Sequence, residues 1–209
     1  MATLIDLEAV IRHFGPQAVS ILLSPEWEGA DNKAIQAVRD KSSPDRLQEV
    51  TSWLRYYAVF QGITRPERYA LSGAFLRWAD ARDQQERLAT VDAICQAHES
   101  LVAECIIAYG KNRDFTSLAS KALWLRYPDD VPLFDSYARR ALSVFSRLEC
   151  GITPPNGGAS DYRQFIHVWK ALYDNDLYRE AIAAIEMHNY PYPVRVFDVI
   201  LWIVGSPGY

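Results

Sequence analysis

Cysteine is scarce in this 209-residue chain, which holds only Cys95, Cys105 and Cys150. Three cysteines cannot pair completely and show no CxxC spacing, which argues against a disulfide framework or a zinc knuckle and fits a reducing compartment. Histidine is nearly as sparse: His13, His98, His167 and His188 lie far apart. There is no HExxH pair, no glycine-rich phosphate loop and no nucleophile elbow. Neither metal nor Ser/His catalysis is indicated. The first residues reach Asp6 and Glu8 without a basic n-region, and the longest late apolar run is Val199–Val204, too short to span a bilayer. A soluble, untargeted, cytoplasmic protein is expected. Repeats of fixed period, low-complexity tracts and period-two alternation bounded by hairpin turns are missing as well. The net charge of −4 supplies no global basic field, so any site for a polyanion has to be a local patch.

What the chain does have is apolar mass: 49% hydrophobic and 12% aromatic residues against 23% charged, enough to build a core. The length fits one all-α domain over residues 1–209, with room for two helical lobes sharing a cleft. Apolar residues recur at helical spacing nearly everywhere. Thr3 caps a short helix ended by Gly15, and Pro16 opens the next, to about Leu23. Ser43 and Pro44 start another that Gly62 stops, and Thr64 with Pro66 opens one through Tyr69, Phe75 and Trp78. The longest periodic segment, Gln84 to Tyr109, reads as the central buried helix, with Leu88, Cys95, His98, Leu101 and Cys105 on one stripe. His98 reads there as a hydrogen-bonded core histidine, and the cysteines as core filler. Further helices are expected at Ser117–Arg126, Ser136–Leu148, Asp161–Tyr173, Leu177–Met187 and Val194–Val204. Gly151 to Gly158 is the best linker candidate.

One segment stands apart by charge, Lys111 to Arg147, which carries net +3 while the remainder carries −7. Within it, Thr116 or Ser117 can cap a short helix holding Lys121 in its first turn or so, and the chain turns at Tyr127-Pro128-Asp129-Asp130-Val131-Pro132. The helix after Lys121 rises about 9 Å, and the residues beyond it reach up to roughly 26 Å when extended. Lys121 and Asp135 are therefore able to meet. Taken alone, Asp135 ahead of Ser136-Tyr137-Ala138-Arg139 is an ordinary N-cap, and Lys121 a lysine that snorkels from a surface helix. Glu99, Glu104, Asp129 and Asp130 read as solvated surface carboxylates.

Phe115-Thr116-Ser117-Leu118-Ala119-Ser120-Lys121, then a helix, then Val131-Pro132-Leu133-Phe134-Asp135, resembles the helix-hairpin-helix DNA glycosylases, especially prokaryotic oxoguanine-type members. The resemblance covers about Asp114 to Leu142, with a weaker echo in the all-helical layout and in Arg195-Val196-Phe197-Asp198. It implies a multi-helix glycosylase-like fold with a degenerate helix-hairpin-helix motif, since Ser117 to Ser120 holds no glycine. By match, Lys121 takes the place of the family's nucleophile and Asp135 that of its catalytic partner. A lysine of ordinary pKa, about 10.4, has to lose its proton to attack C1′ of a nucleotide, and a helix start and partial burial both favour that loss.

The activity implied is excision of an oxidised or otherwise modified purine from double-stranded DNA, with strand cleavage through a lysine Schiff base and no metal or organic cofactor. Base excision requires flipping the base against apolar or aromatic faces. Phe134, Tyr137 and Trp124 are the pocket candidates, with Trp169 a further aromatic residue of that kind. Lys111, Arg113, Arg139 and Arg140 are candidates for phosphate contacts. The alternative is a non-catalytic helical adaptor that keeps a glycosylase-like fold and binds nucleic acid or protein, for instance in phage defence.

Overall fold

The structure, a computed structural model, describes residues 7–145, 160–186 and 190–207. Among the described residues there are ten helices and no strand, so the chain is all-α. They are α1 (Leu7–Leu22), α2 (Pro25–Arg39), α3 (Arg46–Tyr56), α4 (Arg65–Asp80), α5 (Val91–Tyr109), α6 (Thr116–Arg126), α7 (Ser136–Phe145), α8 (Ser160–Tyr173), α9 (Asp176–Glu186) and α10 (Pro193–Gly205). None of the described helices is long and apolar enough to cross a membrane. The helices gather into two compact units, one of residues 1–24 with 132–209 and the other of residues 25–131.

In the unit of residues 25–131, α6 packs against α2, α3 and α5, while α4 joins α3 to α5. All of α6 is buried except Ser117 and Arg126, the pattern of a helix enclosed by others. The central position expected for the Gln84–Tyr109 stretch thus belongs to α6. α5 is amphipathic, with Ile107 exposed, and it begins at Val91, where the Thr90 hydroxyl accepts the Ala93 N–H at 3.1 Å. Leu88 precedes that cap, and its N–H donates to Asp130 Oδ2 at 3.0 Å. α4 opens as Thr64 and Pro66 predict: Glu67 Oε2 accepts from the Thr64 N–H at 2.7 Å and from its hydroxyl at 2.6 Å. α2 has no counterpart among the expected helices. Gly29 and a polar first turn dilute its apolar period, and Asp31, Ala34, Ile35, Ala37 and Val38 are what it buries.

In the other unit, α10 packs on α7, α1 and α9, with α8 against α7 and α9. The chain does not break at Gly15 and Pro16 as expected, because α1 runs through both. A side chain at Gly15 would meet Ile185 of α9 within 2.0 Å, so this glycine serves helix packing rather than a stop. Pro16 leaves one carbonyl of α1 without its helical N–H partner. The expected Gly151–Gly158 linker lies outside the described residues, as do Cys150, residues 146–148 of the expected seventh-helix span and Met187.

Candidate active site

Lys121 is the sixth residue of α6, one turn beyond the helix start, where the dipole's influence has largely fallen off. The helix-start contribution expected from sequence is therefore small, and burial is what distinguishes this lysine: it is 4% exposed. Lysine is almost never buried this far. Its Nζ donates to Ser117 Oγ at 2.9 Å, one turn back on the same helix. Neither Thr116 nor Ser117 caps α6: the helix starts at Thr116 after Phe115, and it is Asp114, two residues before Thr116, whose Oδ1 accepts the Thr116 N–H at 2.8 Å. Ser117 to Ser120, which the resemblance places in the hairpin, are helical here, and the turn between α5 and α6 begins at Gly110 with φ +73°.

His98 ties α5 to α6. Its Nε2 lies 3.1 Å from the Thr116 carbonyl, which can only accept, so the neutral ring carries its proton on Nε2. Burial pushes its pKa down to about 4, against the opposing pull of that hydrogen bond and of Asp114. Trp124 is fully enclosed and stacks on Trp53, ring centroids 5.5 Å apart. That gives Trp124 a packing role rather than an open aromatic face. Lys111 is exposed, and Arg113 donates to the Gln61 carbonyl at 2.6 Å.

In the other unit, Asp135 caps α7, Oδ1 accepting the N–H groups of Tyr137 and Ala138, each at 2.8 Å. Both cap bonds fall on one oxygen, so Oδ2 takes no part in the cap. Phe134 is buried edge-on to Phe165 and Tyr162, with the Arg139 guanidinium 5.5 Å from its ring centre. Tyr137 is half-buried beside the exposed Trp202. Arg140 lies over the Tyr137 ring and donates to the Gly205 carbonyl at 2.9 Å. Phe134, Asp135, Tyr137, Arg139 and Arg140 therefore share one unit, while Lys111, Arg113, Lys121 and Trp124 belong to the other.

A group to which sequence reasoning gave no role stands behind Asp135. Asp198, on α10, is 2% exposed, and its Oδ2 accepts the Leu133 N–H at 2.8 Å. Its Oδ1 makes no well-formed hydrogen bond, nor does the Trp169 indole N–H near it. Burial raises the Asp198 pKa to about 8; the charge of Asp135 adds to the rise, while Arg195, the Leu133 amide and Trp169 oppose it. The available signal was composition, because Arg195 and Asp198 are the only charged residues of α10.

The unit of residues 25–131 also holds a cavity of about 320 Å³ around Tyr127, Glu86, Arg87, Arg126 and Asp130. On its wall Tyr127 donates to Glu86 at 2.6 Å, and Arg87 pairs with Asp130 at 2.6 Å. Lys121 is not on its wall. No protein-family model, no curated protein and no solved structure matches the chain.

Proposed function

We propose that this protein is a DNA glycosylase with AP-lyase activity, excising an oxidised or otherwise modified purine with Lys121 as nucleophile and Asp135 as its catalytic partner. The observation that carries the reading is Lys121 itself, a nearly solvent-free amine held by Ser117 Oγ inside an apolar helix. Such an amine is desolvated and oriented, the two conditions under which lysine acts as a nucleophile. Attack of Nζ on C1′ forms the C–N bond as the glycosidic bond breaks, and the base leaves with the bonding electrons and takes up a proton. Nζ then gives up a proton and its lone pair opens the sugar ring, the C1′–O4′ bond breaking as O4′ takes up a proton. The imine so formed acidifies the 2′ position, and loss of a 2′ proton expels the 3′ phosphate by β-elimination. Asp135, with one oxygen engaged in the cap, has a second with which to stabilise positive charge developing on the sugar. Half-buried Tyr137 supplies an aromatic face beside it, whereas Phe134 is packed against Phe165 and Tyr162 and backs the segment from within. Lys111, Arg113, Arg139 and Arg140 supply cations for phosphates.

A second reading, a non-catalytic adaptor of nucleic acid or protein, draws support from the helical, glycine-free Ser117–Ser120 segment, which offers no glycine turn to a phosphate. One experiment separates the two. Duplexes each carrying one modified base are incubated with the protein and borohydride, which reduces a lysine–sugar imine to a permanent crosslink. The proposal expects a crosslink with at least one duplex and none with Lys121→Gln, which keeps chain length and helix propensity. A crosslink that survives in Lys121→Gln assigns the chemistry to another amine. Absence of excision across the whole panel favours the adaptor.

A further inference from the structure

We propose that Asp198 is the positioning residue for Asp135: its buried carboxyl pins the backbone of residues 131–135 through the Leu133 amide and so sets where the Asp135 carboxylate stands. The inference rests on the reading of Asp135 as catalytic partner, and its structural half stands apart from that reading. Residues 131–135 form no helix, and Pro132 has no N–H to contribute. A segment without its own hydrogen-bond ladder needs partners from elsewhere, since a buried amide left unpaired is costly. For Leu133, which is 2% exposed, that partner is Asp198 Oδ2 at 2.8 Å, from a helix 65 residues further along the chain. Leu133 stands two residues before Asp135, so this bond and the α7 cap bracket the catalytic carboxylate from both sides.

Burying a carboxyl in an apolar helix merely to join two pieces of backbone is an expensive way to hold a loop. An apolar side chain would pack there at lower cost, but it would leave the Leu133 amide without an acceptor. The α10–α7 packing delivers the carboxyl with little freedom: a Cβ on Gly205 would lie 1.9 Å from the Tyr137 carbonyl oxygen, so the helices touch through their backbones two residues past Asp135. Asp198 meets the segment through its backbone, which is the contact expected of a residue that acts through another.

The test compares Asp198→Leu, which removes the acceptor while filling the space, with Asp198→Asn, which keeps an oxygen for the Leu133 N–H. Amide exchange is read at Leu133, Tyr137 and Ala138, and kcat and KM for strand cleavage are measured on the best duplex of the panel. Expected in Asp198→Leu are faster exchange at all three amides and a kcat lower by about 100-fold with KM nearly unchanged, the cost of a small misplacement of a catalytic group. Asp198→Asn is expected to retain the protection and most of kcat. Parent-like exchange at Tyr137 and Ala138 in Asp198→Leu overturns the proposal, as does an Asn variant with parent-like protection but a kcat as low as that of the Leu variant. Should Asp198→Leu fail to fold, the Asn variant alone decides: parent-like protection at the three amides together with a kcat about 100-fold below the parent's overturns the proposal. A parent protein that cleaves no duplex overturns the glycosylase reading, and the exchange data then decide the pinning by themselves.

Discussion

Helices α6 and α10 each carry an ionisable side chain into apolar surroundings, Lys121 at 4% exposure and Asp198 at 2%. The two groups find hydrogen-bond partners over very different distances along the chain. Lys121 donates to a hydroxyl one turn back on its own helix, whereas Asp198 accepts from an amide 65 residues away. The first contact forms whenever α6 forms. The second exists only once α10 lies correctly against the segment leading into α7, so it reports on tertiary packing. The Lys121–Ser117 bond, made within one helix, is insensitive to small shifts of neighbouring elements. The Asp135 segment is as well placed as the helix packing that delivers Asp198 to it.

The strongest way to break the contrast is to push α10 away from α7. Gly205→Ala places a Cβ 1.9 Å from the Tyr137 carbonyl oxygen, and backbone cannot yield as a flexible side-chain tip can. The expected loss of stability is about 3 kcal/mol, measured by urea unfolding. Leu133 exchange should rise with it, while the amides of α6 near Lys121 keep their relative protection. A variant as stable as the parent would show that α10 can retreat without cost, and the dependence of Asp198 on tertiary packing would fail with it.

A smaller effect follows from the charge state of Asp198. Burial raises its folded pKa to about 8, above the unfolded value of about 3.9. Between those two values the native protein holds a proton that the unfolded chain has released. Stability is thus fully present below about pH 4 and declines as pH rises toward 8. Asp198→Asn cannot ionise, so its stability should equal the parent's at pH 4 and exceed it at pH 8 by about 2 kcal/mol, allowing for the relaxation that buried charges provoke. Chemical denaturation at the two pH values checks this. A constant difference between the variants would mean that the carboxyl is ionised throughout.

The same contrast explains what the sequence could reveal. Local signals were legible: Thr64 and Pro66 opened α4, Asp135 preceded Ser136 as the cap of α7, and α6 ended at Arg126 as its periodicity indicated. The errors came where distant packing decided the outcome. Gly15 and Pro16 resemble a helix boundary until Ile185 of α9 is seen against the glycine. Leu88 fits the stripe of α5, yet its amide is taken by Asp130, 42 residues on. The polar sequence of α2 shows no clean apolar period, although Ile35 and Val38 of that helix are buried. In the candidate site, Lys121 and Asp135 were marked by motif and charge. Asp198 was touched only as the end of the Arg195–Asp198 echo and was given no role, because nothing near it in sequence says that it reaches Leu133.

The smallest expected effect sharpens the local half of the comparison. Ser117 is exposed, so truncating it opens no cavity, yet its Oγ accepts from Lys121 Nζ at 2.9 Å. Ser117→Ala removes that acceptor from a charged or reactive amine, costing about 2 kcal/mol, while the better helix propensity of alanine returns roughly 0.5 kcal/mol. The net loss should be near 1 kcal/mol, a shift of about 3 °C in a chain this long. A structural lysine would register only that change in melting temperature. A nucleophile loses its orientation as well, so the borohydride crosslink should form about tenfold more slowly, and Ser117→Thr, which keeps the hydroxyl, should restore the rate. Equal crosslinking rates in the parent and Ser117→Ala would leave the hydroxyl as a buried-charge partner alone and assign the orientation of Nζ to other contacts.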